Sequence, residues 1–395
     1  MTLALNQVNT IFLAVALLVL GTFFVKRFGF LQKFCIPAPV VGGLLFAIIA
    51  TVLKATGLLQ ITLDTSLQSL FMLTFFTTIG LGASFKLVKL GGKLLVIYWI
   101  ACGFLALMQN VIGVSLASLF GIHPLIGMMA GAVSMEGGHG AAGAFGQTLE
   151  DMGINSALSI GIAAATFGLV AGGLVGGPIV KYLVAKYDLK PTETEEVADG
   201  LEEKVESIKT DTFFLQVLMI TFCMALGTYL GELFSTATGF VLPSYVGAMF
   251  VAVILRNIVD KFNPKAIDMK SINLIGDVTL GIFLSMALMS IKLWEVADLA
   301  LPMLVIVFVQ VVFIVLFGTF VLFRLLGKDY DAAVMVAGFT GHGLGATPNA
   351  MANMAAVTAR FGPSRKAYLV VPIVGAFLID VFGMPIIITT INLFK

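Results

Sequence analysis

Two short stretches set polar residues and glycine together inside long apolar runs. One is Ser134-Met-Glu-Gly-Gly-His-Gly140; the other is Thr340-Gly-His-Gly-Leu-Gly-Ala-Thr-Pro348. Backbone that leaves the helix at membrane depth survives only where protein buries it or where it lines a wet cavity. Paired, interrupted hydrophobic segments at matching places in two halves of a chain are the sequence sign of a transporter's binding site. A half-helix that restarts after such a break points free N–H groups and a partial positive charge at the break, which suits a carboxylate. The arm before the break ends in free carbonyls, which suit Na⁺.

On this reading Thr347 caps the second half-helix, Pro348 opens it, and its body runs over 349–357. Asn349 and Asn353, four residues apart, share one face. The first half-helix starts after Gly140. Substrate is expected at Gly138, His139, Gly140, Gly343, Gly345, Thr347 and Asn349. Na⁺ is expected at Ser134, Glu136, Gly137, Gly338, Thr340 and Asn353, near the carbonyl ends at Ser134 and Gly338. His342 stands in the second knot without an assigned role.

Three acids lie within or close to membrane depth: Glu136, Asp277 and Asp380. A carboxylate there is costly and is a functional candidate by default. Asp380 is assigned to a substrate ammonium or a cation, with a hydrogen bond to a neighbouring helix as the alternative. Asp277 reads as interfacial. Glu136-x-x-His139 has the spacing of two metal ligands on a helix, but no third ligand beyond His342 accompanies it. H-E-x-x-H is absent, which argues against an intramembrane metallohydrolase. Gly168–Gly177 read as helix packing, since small residues let helices approach.

The elements that must position these residues follow from composition. The chain has 395 residues, 59% hydrophobic and 11% charged, against about 25% charged in soluble domains. Mean hydropathy is +1.05. An all-α polytopic membrane protein is expected, not an enzyme. A net charge of +1 gives no reason to expect nucleic acid. Cys35, Cys102 and Cys223 lack metal-ligand spacing and read as free thiols.

Apolar runs of spanning length lie near 7–25, 37–53, 67–85, 94–120 and 156–184, then near 212–234, 241–258, 272–291, 299–323 and 367–393. Broken segments 124–149 and 331–358 sit between the fourth and fifth members of each set. Residues 186–211 carry 13 of the 45 Asp, Glu, Lys and Arg residues and read as a cytoplasmic linker. With the termini outside and both broken segments re-entrant, 20 Lys and Arg fall inside and 3 outside, namely Lys54, Lys292 and Lys395. That split obeys the positive-inside bias. A full span at either segment would reverse the loops after it.

The halves 1–185 and 212–395 also match each other. Phe34-x-Ile-Pro37-x-x-Val40 recurs as Phe240-x-Leu-Pro243-x-x-Val246, and Ala130-Gly131 as Ala337-Gly338. Gly168, Gly176, Pro178 and Ile179 recur as Gly375, Gly383, Pro385 and Ile386. Five spans per half make the repeats inverted, with hairpin tips meeting near the midplane.

Several motifs resemble the bacterial sodium/glutamate symporter family over nearly the whole chain. They include Ile36-Pro37-x-Pro39-Val40, Met108-Gln109-Asn110, Gly137-Gly138-His139-Gly140, Ala165-Thr166-Phe167-Gly168-Leu169-Val170 and Leu299-Ala300-Leu301-Pro302-Met303. Others are Lys328-x-Tyr330-Asp331-Ala332-Ala333-Val334, Gly343-Leu344-Gly345-Ala346-Thr347-Pro348 and Arg360-Phe361-Gly362-Pro363-Ser364. The resemblance implies Na⁺-coupled uptake of L-glutamate across a bacterial inner membrane. It also implies a fold similar to citrate-type symporters, with scaffold and mobile core domains, a homodimer and an elevator movement. Spans without hairpins, such as 1–4 or their repeats, would make the dimer contact. The runner-up substrate is a citrate-like di- or tricarboxylate. Two departures fall at the knots. Position 136 is Ser in the family pattern and Glu here, and Phe339-Thr-Gly-His-Gly-Leu-Gly345 stands where the pattern reads His-Cys-Gly-Phe-Gly-Leu-Gly. Glu136 is open to Na⁺, a proton or an amine.

Overall fold

The computed structural model describes residues 2–33, 36–191, 209–291 and 299–395. Most of the expected linker, together with Phe34, Cys35 and Lys292, lies outside the described residues. Among the described residues the regular structure is helical, with one small exception. Strand β1 (Thr2–Leu5) pairs in parallel with β2 (Gln60–Leu63), a pairing the hydropathy pattern does not announce.

The helices are α1 (Gln7–Arg27), α2 (Ala38–Ala55), α3 (Gln68–Gly82), α4 (Phe85–Leu119), α5 (Pro124–Met128), α6 (Gly138–Asp151), α7 (Ala157–Tyr187), α8 (Thr210–Thr238), α9 (Ser244–Phe262) and α10 (Met269–Met289). Then come α11 (Ala300–Leu316), continued by a wide turn to Leu325, α12 (Tyr330–His342), α13 (Thr347–Phe361), α14 (Arg365–Ile373) and α15 (Ile379–Phe394). Among the described residues, seven helical segments are long and apolar enough to cross a membrane. Helix ends follow local chemistry. Asn6 accepts the Asn9 N–H at 2.9 Å to cap α1, and Asp268 caps α10 through Lys270 N–H at 3.1 Å. Lys26 and Arg27 close α1, where the helix dipole favours cations.

The chain divides into two compact units. The first comprises Met1–Gly82, His139–Ala163 and Leu215–Met303; the second comprises Ala83–Gly138, Ala164–Phe214 and Leu304–Lys395. Each draws on both halves of the sequence.

Within the first unit, glycines set the helix approaches. A Cβ at Gly42 would stand 2.0 Å from the Leu17 carbonyl, and one at Gly21 would stand 2.0 Å from Ala38 O, so α1 and α2 touch backbone to backbone. Gly227 on α8 meets Ala248 on α9 in the same way. Gly227 is 206 residues beyond Gly21, and Ala248 is 206 beyond Gly42, which is the offset seen in the sequence. Pro37 and Pro243 begin α2 and α9 alike, each offering its carbonyl to the N–H groups three and four residues on. Arg256 of α9 donates to the Leu81 carbonyl at the end of α3, 2.8 Å away, and pairs with Asp260 at 3.1 Å. Asp277 is exposed on α10.

The outer faces of α1 and α8 are apolar. Val8, Phe12, Val19 and Phe23 line one, and Phe214, Leu218, Phe222 and Tyr229 the other, each at least half exposed. Such stripes need a nonpolar medium. Replacing Gly42 by Leu forces side-chain atoms into the α1 backbone, and overpacking of this kind costs about 1–3 kcal/mol or more. Gly42→Leu is therefore expected to lower the melting temperature in detergent by several degrees. Gly177→Ala, whose Cβ would meet nothing within 4 Å, is the control. Equal melting of the two variants would refute the packing account.

Candidate functional site

The second knot lies wholly in the second unit. Helix α12 begins at Asp329, whose carboxylate accepts the Ala332 N–H at 2.7 Å, and all of its 13 residues are buried. It stops at His342. Residues 343–346 turn the chain, with Gly345 N–H on His342 O at 3.3 Å and Ala346 N–H on Gly341 O at 3.4 Å. The chain re-enters helix at Thr347, and Pro348 occupies a first-turn position that needs no N–H partner. The two arms pack tightly, because a Cβ at Gly341 would stand 2.7 Å from Ala350 N.

Three expectations change here. The residue before α13 is Ala346, not Thr347, and Thr347 caps nothing: its hydroxyl donates to the Gly375 carbonyl at 2.8 Å. Gly338 and Thr340 are inside α12, four and two residues before its end at His342, so the carbonyl break falls at 343–346 instead of near Gly338. Gly338 instead makes room for Met354 and Val371, and Thr340 donates to Val336 O at 2.8 Å.

Asn349 and Asn353 do share a face, and both use it on α7. Asn349 Nδ2 donates to Leu169 O at 3.1 Å, and Asn353 Nδ2 to Gly172 O at 3.0 Å. Glycine makes this possible: a Cβ at Gly172 would lie 2.7 Å from the Asn349 amide nitrogen, and one at Gly176 would lie 2.4 Å from that of Asn353. Gly172 and Gly176 are packing residues, and what they pack is α13, whereas a Cβ at Gly177 would meet nothing within 4 Å. Asn349 Oδ1 stays buried without a donor.

The first knot follows the same plan with more distortion. Helix α5 is capped by His123, widens over 129–133, and breaks helical geometry at Gly131. Ser134 donates its hydroxyl to the Met129 carbonyl. The N–H groups of Glu136 and Gly137 both go to Ala132 O, at 3.1 and 3.2 Å. Gly138 has φ +60°, and a Cβ there would lie 2.7 Å from the Gly345 carbonyl oxygen. The two knots therefore touch, glycine against glycine, and only glycine suits that φ and that approach. Helix α6 starts at Gly138 rather than after Gly140. His139, which is buried, and Gly140, which packs against Phe75 and Leu280, belong to the first unit.

Glu136 is buried, and neither carboxyl oxygen has a hydrogen-bond partner in the protein. Asp380, Tyr98 and Cys102 lie within electrostatic reach of it. Tyr98 and Cys102 stand one turn apart on α4, and both are buried. Trp99 Nε1 donates to the Leu378 carbonyl at 2.6 Å, and Gly103 admits the Phe382 ring, so this turn of α4 seats against the start of α15 that carries Asp380. The Tyr98 hydroxyl also has no partner. The second unit thus gathers two carboxyls and a hydroxyl beside the joined knots. His342 stands against Gly375, its Nδ1 buried without a partner.

The family model described as sodium/glutamate symporter matches residues 3–363. This chain belongs to the sodium/glutamate symporter family. It is 43% identical over 389 residues to the sodium/glutamate symporter of Escherichia coli (strain K12), covering 97% of this chain and 96% of that one. It is 41% identical over 390 residues to that of Haemophilus influenzae, with the same coverage. A solved sodium proton antiporter of Methanocaldococcus jannaschii aligns at TM-score 0.45 and 16% identity, covering 97% of this chain and 95% of that chain. Membership makes the chain a transporter and not an enzyme.

In this symporter, sequence reasoning missed Tyr98, Gln109, Asn110 and Gln310 as residues packed around the knots. Asn110 accepts the Ala132 N–H at 3.3 Å beside the first knot and donates to Thr390 at 3.1 Å. Gln109 donates to Gly343 O in the second knot. Polar residues midway along the apolar helices α4 and α11 were the available signal.

Proposed function

We propose that the chain carries L-glutamate, or a close acidic amino acid, into the cell together with Na⁺. The observation that carries this reading is the meeting of two helix breaks at Gly138 and Gly345. Family membership and the names of its relatives supply the substrate and the ion. The substrate carboxylate sits at the N-terminal end of α13, where N–H groups of the first turn lack helical partners. Gly138, Gly343 and Gly345 let backbone approach it, while Thr347 and Asn349 hold α13 in place. Asp380 takes the substrate ammonium. Na⁺ is drawn from Ser134, Glu136, Gly137 and Asn353, with Glu136 as the charged ligand among them; Gly338 and Thr340, bonded or packed inside α12, are left out.

Around this site the chain forms two inverted repeats, 1–185 and 212–395, joined by the cytoplasmic linker 186–211. Segments 124–149 and 331–358 are re-entrant hairpins. The lysine and arginine split supports this arrangement, and the shared offset of Gly21–Gly42 and Gly227–Ala248 supports the repeat. The protein works as a homodimer in a bacterial inner membrane with both termini outside, and its core moves as an elevator.

Proteoliposomes test the reading. An inward Na⁺ gradient is expected to drive labelled L-glutamate uptake, and K⁺ in its place to give background. Equal uptake with K⁺ would remove Na⁺ coupling. Succinate competing as well as aspartate would show that the amine is not read, and a dicarboxylate would then be the substrate.

A further inference from the structure

One glutamine binds the second knot from outside it and a second binds the first glutamine's main chain, and neither belongs to the residues assigned to substrate or Na⁺ above. Gln109 lies deep in α4 and Gln310 deep in α11, both with no exposed surface. Gln310 Nε2 donates to the main-chain carbonyl of Gln109 at 2.8 Å. Gln109 Nε2 donates in turn to the carbonyl of Gly343 at 2.7 Å. These bonds settle the orientation of both amides. Each faces a carbonyl, which only its nitrogen end can satisfy, so its oxygen must face elsewhere. Both amide oxygens, Gln109 Oε1 and Gln310 Oε1, are buried and accept no hydrogen bond from the protein.

A buried acceptor without a donor is costly, and here two occur on one hydrogen-bonded chain. That chain ends at Gly343, the residue that closes α12. The C-terminal end of a helix carries partial negative charge from its last carbonyls. Neutral amide oxygens at such an end make an environment that lacks only a positive charge. Oxygen donors without formal charge suit a hard monovalent ion more than a divalent one, which draws carboxylates. Broken helices in transporters place their coupling ions at ends of this kind. We infer that the side-chain oxygens of Gln109 and Gln310 form a Na⁺ site at the C-terminal end of α12. This rests on the Na⁺ coupling proposed above and adds two ligands from helices outside the knots.

The test is thermal unfolding of the purified full-length protein without substrate, titrating NaCl against KCl at constant ionic strength. A ligand that binds only the folded state raises its stability with concentration, so the wild type is expected to melt higher in Na⁺. In Gln310→Leu and Gln109→Leu that Na⁺ increment is expected to vanish or to need at least tenfold more Na⁺. Their melting in KCl reports the lost hydrogen bonds separately. Should a Leu variant fail to purify, Gln310→Asn makes the same test, since it keeps the amide and retracts it by one methylene. A wild-type increment and half-saturating concentration in these variants would overturn the assignment. A variant that keeps the Na⁺ increment but loses a rise produced by L-glutamate in KCl would overturn it too, and would give the oxygens to the substrate ammonium. A wild type that melts equally in both salts would instead bring down Na⁺ coupling itself.

Discussion

Asp380→Asn is expected to abolish Na⁺-driven uptake of L-glutamate while the protein still folds. The substitution keeps shape and removes charge. Asp380 opens α15, where α4 packs against it through Trp99 and Gly103. None of those contacts uses the carboxylate, so fold and assembly should survive. What changes is the negative charge beside the joined knots. Truncating one partner of a buried charge pair costs about 2–5 kcal/mol, and each 1.4 kcal/mol is a factor of about ten. Substrate affinity should therefore fall by at least about tenfold. Binding of L-glutamate by calorimetry, beside size-exclusion and melting profiles, checks both halves of the claim. Wild-type affinity in Asp380→Asn would end its role as the ammonium partner.

The ten apolar runs were legible because hydropathy over spanning length is a strong signal. Every run finds a helix. The β1–β2 pair was not legible. Four-residue strands paired across 58 residues leave no period long enough to detect, and Thr2–Leu5 reads as the lead-in to α1. The compact units were equally hidden. A repeat is a property of one chain order, whereas α4 and α15 belong together through Trp99 and Leu378, 279 residues apart.

The site was legible where glycine marked it. Gly138 and Gly345 meet because both positions needed the absence of a side chain, and glycine shows that need directly in a sequence. Helix boundaries were read less well. Thr347-Pro348 looks like a cap followed by a first helical residue, but the Gly375 carbonyl competes for the Thr347 hydroxyl, and the helix starts without it. Gly338 was misplaced because glycine marks close packing as well as a break, and Met354 and Val371 fill the space it leaves. Gln109 and Gln310 stood out only as polar residues in apolar helices, with no partner legible. Their meaning lies in which carbonyl each nitrogen faces, and only the fold supplies those partners.

Glu136→Gln carries the other large effect, and it has opposite signs for stability and for transport. The residue sits in the first knot with both carboxyl oxygens buried and unpartnered, a second carboxyl within reach. Burying a carboxylate without a partner is costly to a fold. Gln has nearly the same shape and no charge, so Glu136→Gln is expected to raise the melting temperature in KCl by several degrees. Sites that give up stability in this way do so where activity requires it. Uptake of L-glutamate at limiting Na⁺ is therefore expected to fall at least about tenfold, the loss of one charged ligand at about 1.4 kcal/mol or more. Saturating Na⁺ should recover part of it, since the other oxygen ligands remain. The two measurements separate the explanations. A variant that melts higher and transports normally would make Glu136 a tolerated cost without a role in coupling. One that melts lower would show the carboxyl paired in the folded protein, against the geometry of both its oxygens. Only a rise in stability together with a Na⁺-dependent loss of uptake places the charge of the first knot in the transport cycle, and it would also explain why only one of the two glycine knots carries a carboxylate.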